Sequence, residues 1–99
     1  MVKKLFVVVR NDLTRSQKTV QAVHAAAEYL QKEKTDWDNG IVVCLKVSDE
    51  KELVKLKEKI QEEDRTIKCF YEPDLDNTLT AIAKVCYKDS EFFRHLQLL

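Results

Sequence analysis

Leu5-Phe6-Val7-Val8-Val9 is an unbroken apolar run in a chain that is otherwise 34% charged. A valine-rich run with no polar face suits a strand buried on both sides rather than a half-exposed one. Such a strand needs covering elements above and below it, and the next segment supplies the first. Thr14 followed by Gln17 has the spacing of a capping box, which predicts a helix from about Arg15 to Glu33. Val20, Val23, Ala27 and Leu30 recur at helical spacing and form its expected inward stripe.

The pattern then repeats. Asp36–Gly40 is a turn broken by Asn39-Gly40, and Ile41–Val47 is a second buried strand. Ser48 or Asp49 caps a second helix reaching about Glu62, with Leu53, Leu56 and Ile60 inward. Ile67–Tyr71 and Leu79–Tyr87 read as third and fourth strands, separated by a loop that opens at Pro73. Phe92, Phe93, Leu96, Leu98 and Leu99 predict a short apolar C-terminal helix or tail. The order strand–helix–strand–helix–strand–strand–helix implies one α/β domain over 1–99, with parallel strands joined by right-handed crossovers. The short last connection makes the final strand pair antiparallel.

Several function classes are excluded. One glycine and one proline leave no Gly-rich phosphate loop and no dinucleotide fingerprint. No apolar run approaches the roughly 18 residues of a membrane span, and Leu5–Val9 is too short for a signal peptide. A cytoplasmic location with no membrane partner is the expectation. Three cysteines, Cys44, Cys69 and Cys86, are an odd number without metal-ligand spacing. They read as buried free thiols, with no metal and no cofactor. Net charge is zero, but residues 1–20 hold Lys3, Lys4, Arg10, Arg15 and Lys18 against Asp12 alone. A local basic patch of this kind can bind phosphate.

His24 lies on one helix face with Gln17, Gln21, Glu28 and Gln31. It is either a boundary histidine paired with Glu28 or a general base, for which an imidazole needs little tuning. Glu72 and Asp74 could orient that imidazole or a water, or could simply favour a turn beside Pro73. Arg15 and Lys18 sit in the first helical turns, where cations oppose the helix dipole unless an anion joins them. Asp12 follows the carboxyl end of the first strand, where open α/β sheets place sites, and it also suits a turn. Thr78 and Thr80 open the last strand as substrate ligands or as good strand formers. Trp37 either stacks on a base or packs beside the Gly40 turn.

Four segments together resemble the class II peptidyl-tRNA hydrolase family, and they span almost the whole chain. They are Val8-Val9-Arg10-Asn11-Asp12-Leu13, Gln21-Ala22-Val23-His24-Ala25, Trp37-Asp38-Asn39-Gly40 leading into Val42–Val47, and Leu96-Gln97-Leu98-Leu99. The resemblance implies a three-layer α/β/α domain with a four-stranded mixed sheet, the last strand antiparallel between the first and third. It implies hydrolysis of the ester linking a peptide to the 3′ end of tRNA, without metal, by a protein that is often a homodimer. His24 falls on the family's active-site histidine, Glu72 where its loop aspartate would be, and Thr78 where its strand-opening threonine would be. Catalytic roles therefore go to His24, Glu72, Asp74 and Thr78, and substrate-binding roles to Arg10, Asp12, Lys18, Gln21 and Thr80.

Two departures stand out. Ser16-Gln17-Lys18 replaces a Gly-Lys pair at the opening of the first helix, and Glu72–Thr78 is shorter than the family's threonine-, glycine- and proline-rich loop. The rival function is a non-catalytic module of the same fold that binds RNA, a nucleotide or a protein.

Overall fold

The computed structural model describes residues 2–63, 66–87 and 91–99. Strand β1 (Lys3–Arg10) runs parallel to β2 (Val42–Val47) and antiparallel to β4 (Thr78–Tyr87). Strand β3 (Lys68–Glu72) pairs antiparallel with β4, and β5 (Gln97–Leu98) pairs antiparallel with β2. The sheet order is β3-β4-β1-β2-β5, so β4 lies between the first and third strands as expected.

Side chains alternate across β1, and each face meets a different core. Leu5, Val7 and Val9 pack with Ala22, Ala25 and Tyr29 of helix α1 (Arg15–Lys32). Phe6 and Val8 pack with Leu53, Leu56 and Ile60 of helix α2 (Glu50–Glu63). The apolar run thus does what its composition demands, and each fully buried side chain of this size contributes roughly 1.5–3 kcal/mol of transfer free energy.

The sheet has five strands rather than four. The predicted C-terminal helix is absent: residues 91–95 form turns, and the chain then adds β5 to the open edge of β2. Phe93 stacks on Phe6, with ring centroids 4.6 Å apart, so the aromatic tail closes the α2 face from a turn instead of a helix.

Helix α1 is rotated from its expected setting. The predicted stripe points outward, with Val23 63% exposed and Val20 and Leu30 also exposed. The buried residues are Gln21, Ala22, Ala25 and Tyr29. Two alanines let the helix sit close to the sheet, Tyr29 supplies apolar area, and Gln21 is tolerated inside because it is hydrogen-bonded. The capping box forms as predicted: Thr14 Oγ1 accepts from the Gln17 amide at 3.2 Å, and Gln17 Oε1 accepts from the Thr14 amide at 2.9 Å.

Candidate active site

The cleft grows from a seam between α1 and the edge strand β3. These elements run in opposite directions and meet at three levels. Gln21 Nε2 donates to Glu72 Oε1 at 2.8 Å. One turn further along α1, the His24 ring stacks on Phe70 at 4.4 Å, nearly coplanar at 2°. At the far end Lys68 pairs with Glu33 at 2.9 Å.

A bulge in β4 completes the first level. Tyr71 pairs with Leu79 and Phe70 with Ala81, so Thr80 is the extra residue between them. The bulge turns the Thr80 hydroxyl toward α1, where it donates to Gln21 Oε1 at 2.6 Å and approaches the Phe70 carbonyl at 3.2 Å. Thr80, Gln21 and Glu72 therefore form one chain of hydrogen bonds. Its first two members are buried, at 0% and 3% exposure, and Glu72 ends the chain at the cleft.

Beyond Glu72 the backbone makes a single 3-10 turn, Pro73–Leu75, then two left-handed residues, Asp76 at φ 56° and Asn77 at φ 59°. Aspartate and asparagine tolerate that region better than most residues, which is how the short loop reverses without glycine. The turn faces the start of α1 across a cavity of about 270 Å³. Glu72, Asp74 and Leu75 form one wall; Ser16, Gln17, Val20 and Gln21 form the other.

The structure separates the predicted site residues. Glu72, Asp74 and Gln21 share the cavity. His24 lies one turn away against Phe70; among the described residues neither its predicted partner Glu28 nor a loop carboxylate hydrogen-bonds the imidazole. Thr80 is sealed inside and reaches the cavity only through Gln21.

Arg10, Asp12 and Thr78 form a separate clamp at the end of β1. Arg10 holds both Asp12 oxygens, at 2.7 and 2.8 Å, and donates to Thr78 Oγ1 at 3.2 Å. Thr78 in turn donates to the Leu75 carbonyl at 2.8 Å, which anchors the loop from below. The Arg10 guanidinium holds the Asp12 carboxyl below its ordinary range through these hydrogen bonds, and Asp12 raises Arg10 in return. Lys18 reaches Asn11 Oδ1 at 2.9 Å, so a cation does stand at the first turns of α1 beside the end of β1.

Other expectations are adjusted in detail. Trp37 takes the packing role: its Nε1 donates to the Ile41 carbonyl at 3.0 Å, and its ring rests on the α1-side core. The three cysteines are free but only partly buried, and burial pushes the Cys44 and Cys69 thiols up. Sequence reasoning missed Phe70 and Glu50. Phe70 precedes Glu72 by two residues, so strand period alone could have placed it on the same face. Glu50 Oε2 accepts from the Leu79 amide at 2.9 Å and fixes the start of β4, which no local pattern reveals. Among the described residues no cluster of three or more metal-ligating side chains forms, and no helix is long and apolar enough to cross a membrane.

A family model described as peptidyl-tRNA hydrolase PTH2 matches residues 3–99. No curated protein sequence matches the chain. A solved structure of a protein of unknown function from Agrobacterium tumefaciens strain C58 has a similar fold, with a TM-score of 0.75 at 15% identity. That similarity covers 100% of this chain and 98% of the other.

Proposed function

The chain belongs to the peptidyl-tRNA hydrolase PTH2 family, and from that premise we propose that it cleaves the ester between a peptide and the 3′ end of tRNA. The observation that carries the proposal is the α1–β3 seam. It sets the His24 imidazole on α1 one helical turn from Gln21, which holds the Glu72 carboxylate at the end of β3 beside a cavity of about 270 Å³.

In this reading His24 takes a proton from water as the water oxygen attacks the ester carbonyl carbon. The tetrahedral intermediate collapses with loss of the tRNA ribose oxygen, and the imidazolium returns its proton to that oxygen. The products are free tRNA and a peptide carboxylic acid, which releases its proton to solvent as the carboxylate. Positioned proton transfer of this kind is worth roughly 10²- to 10⁴-fold in rate. Glu72, held by Gln21 and Thr80, orients the water, and Asp74 faces it across the turn. Phe70 fixes the plane of the imidazole. Arg10 and Thr78 hold the loop in register with Asp12, a positioning role rather than contact with substrate. Lys18 and the N-terminal amides of α1 receive a phosphate near the acceptor end.

The test is release of free tRNA from peptidyl-tRNA by the purified protein. One observation favours the rival reading of a non-catalytic binding module, namely that the His24 ring stacks on Phe70 and, among the described residues, hydrogen-bonds no carboxylate. Absence of turnover, where an authentic hydrolase works, would remove the enzyme reading.

A further inference from the structure

Glu50 is the first residue of α2, and three positions later Leu53 shares the α2-side core with Leu79. Residues three apart lie on one helix face, so the buried seat of Leu53 brings the Glu50 side chain to the start of β4. That start lies outside the ladder that supports the rest of the strand. Pairing between β1 and β4 ends where Val9 faces Ala81, and Thr80 is the bulged residue just beyond.

Leu79 is 1% exposed, so its peptide groups are past the end of the ladder yet shielded from water. Buried peptide groups need partners, and here two charged side chains supply them. Glu50 Oε2 accepts from the Leu79 amide at 2.9 Å, and Arg10 donates to the Leu79 carbonyl at 3.4 Å. Hydrogen bonds to ionised groups are the stronger kind. Glu50 makes the shorter of the two, while Arg10 is shared with Asp12 and Thr78.

Holding Leu79 holds the bulge. A β-bulge re-aims the side chain of its extra residue, and a slip of one place would turn that side chain to the other face of the sheet. The residue re-aimed here is Thr80, whose hydroxyl donates to Gln21, which in turn donates to Glu72. A continuous line of contacts therefore leads from the start of α2 to the cavity beside α1.

We propose that Glu50 is a positioning residue: its hydrogen bond to Leu79 pins the β4 bulge and so aims Thr80, Gln21 and Glu72 at the cavity. The effect on turnover rests on the hydrolase reading; the pinning of the bulge does not.

The experiment compares Glu50→Gln, Glu50→Asp and Glu50→Ala in the intact protein. Glutamine keeps an acceptor oxygen at the same reach and drops the charge. Aspartate keeps the charge and is one methylene too short, and alanine removes both. The first readout needs no activity. Hydrogen exchange at the Leu79 amide should be about tenfold faster in the Asp and Ala variants and near wild type in Gln. The NMR signal of the Gln21 side-chain amide should shift in the same two variants.

The second readout is peptidyl-tRNA turnover per folded molecule. The kcat should fall about tenfold in Asp and Ala with KM unchanged, and Gln should recover most of it. A merely structural contact would lower the amount of folded protein and leave the kcat of the folded fraction alone. Should Glu50→Ala fail to fold, Glu50→Asp carries both comparisons. An unmoved Gln21 signal beside fast Leu79 exchange would overturn the proposal, as would full kcat in the same variant. An impaired Gln variant beside an unimpaired Asp variant would also overturn it, by assigning the effect to charge near Arg10. A wild type without turnover rejects the hydrolase reading, and the exchange and Gln21 signals then decide the pinning of the bulge by themselves.

Discussion

Gln21 donates to Glu72 at 2.8 Å and accepts from Thr80 at 2.6 Å, so one buried carboxamide ties α1 to β3 and to the bulge of β4. Among the described residues Thr80 is the donor to Gln21 Oε1, so Thr80→Val leaves that oxygen buried without it. The expected cost is about 1–3 kcal/mol, read as a lower urea midpoint with the slope unchanged. Gln21→Leu, which removes the whole carboxamide, should cost less, because Thr80 keeps the Phe70 carbonyl. Equal stability of Thr80→Val and wild type would show that the chain is not closed in solution.

This polar chain also explains why the buried face of α1 differs from its apolar stripe. Val20, Val23 and Leu30 carry the helical period, and their hydrophobicity points them inward by default. The burial of Gln21 depends on partners 51 and 59 residues away, which no local window contains. The elements whose reasons are local were legible: the doubly buried β1, the Thr14–Gln17 box and the inward face of α2. The two-residue β5 was not, since it is too short to show a period and exists only because β2 has an open edge. At the site, the loop carboxylates and His24 could be named from the resemblance. The stack on Phe70 and the bulge at Thr80 come from strand register, which a single chain does not display.

Helix α1 begins at a reciprocal cap, and Thr14→Ala breaks one half of it. The expected loss is about 1 kcal/mol of folding stability. Thr14→Ser should restore most of it; if Ala and Ser behave alike, the cap contributes nothing.

Gly40 sits at φ 74° with no atom within 4 Å of the position a Cβ would take. Gly40→Ala should therefore cost about 1–2 kcal/mol through backbone strain alone, with no steric term. A thermal unfolding curve superimposable on wild type would mean that the turn relaxes without penalty.

The Arg10–Asp12 pair makes a pH-dependent contribution. Arg10 depresses the Asp12 pKa in the folded state, so this stability is present above the unfolded carboxylate value near 3.9 and is lost as pH falls through the folded value. Asp12 is more than a third exposed, which limits the effect to under about 1 kcal/mol after solvent screening. Asp12→Asn should be less stable than wild type at pH 7 and indistinguishable from it at pH 2. A gap that persists at pH 2 would have another origin.

In the proposed mechanism Phe70 acts only through His24, on which it stacks. Phe70→Leu keeps an apolar residue on β3 but removes the flat surface that orients the imidazole. Turnover should fall about 10-fold with tRNA affinity unchanged, since positional errors of this size act on the chemical step. Loss of affinity without loss of turnover would make Phe70 a substrate contact instead.

The central claim is that His24 accepts the proton of the attacking water. The direct measurement is single-turnover release of tRNA from peptidyl-tRNA by wild type and His24→Ala at matched tRNA occupancy. The account predicts a fall of about 10²- to 10⁴-fold in the mutant with binding intact. An active wild type and a His24→Ala variant of equal rate would contradict it.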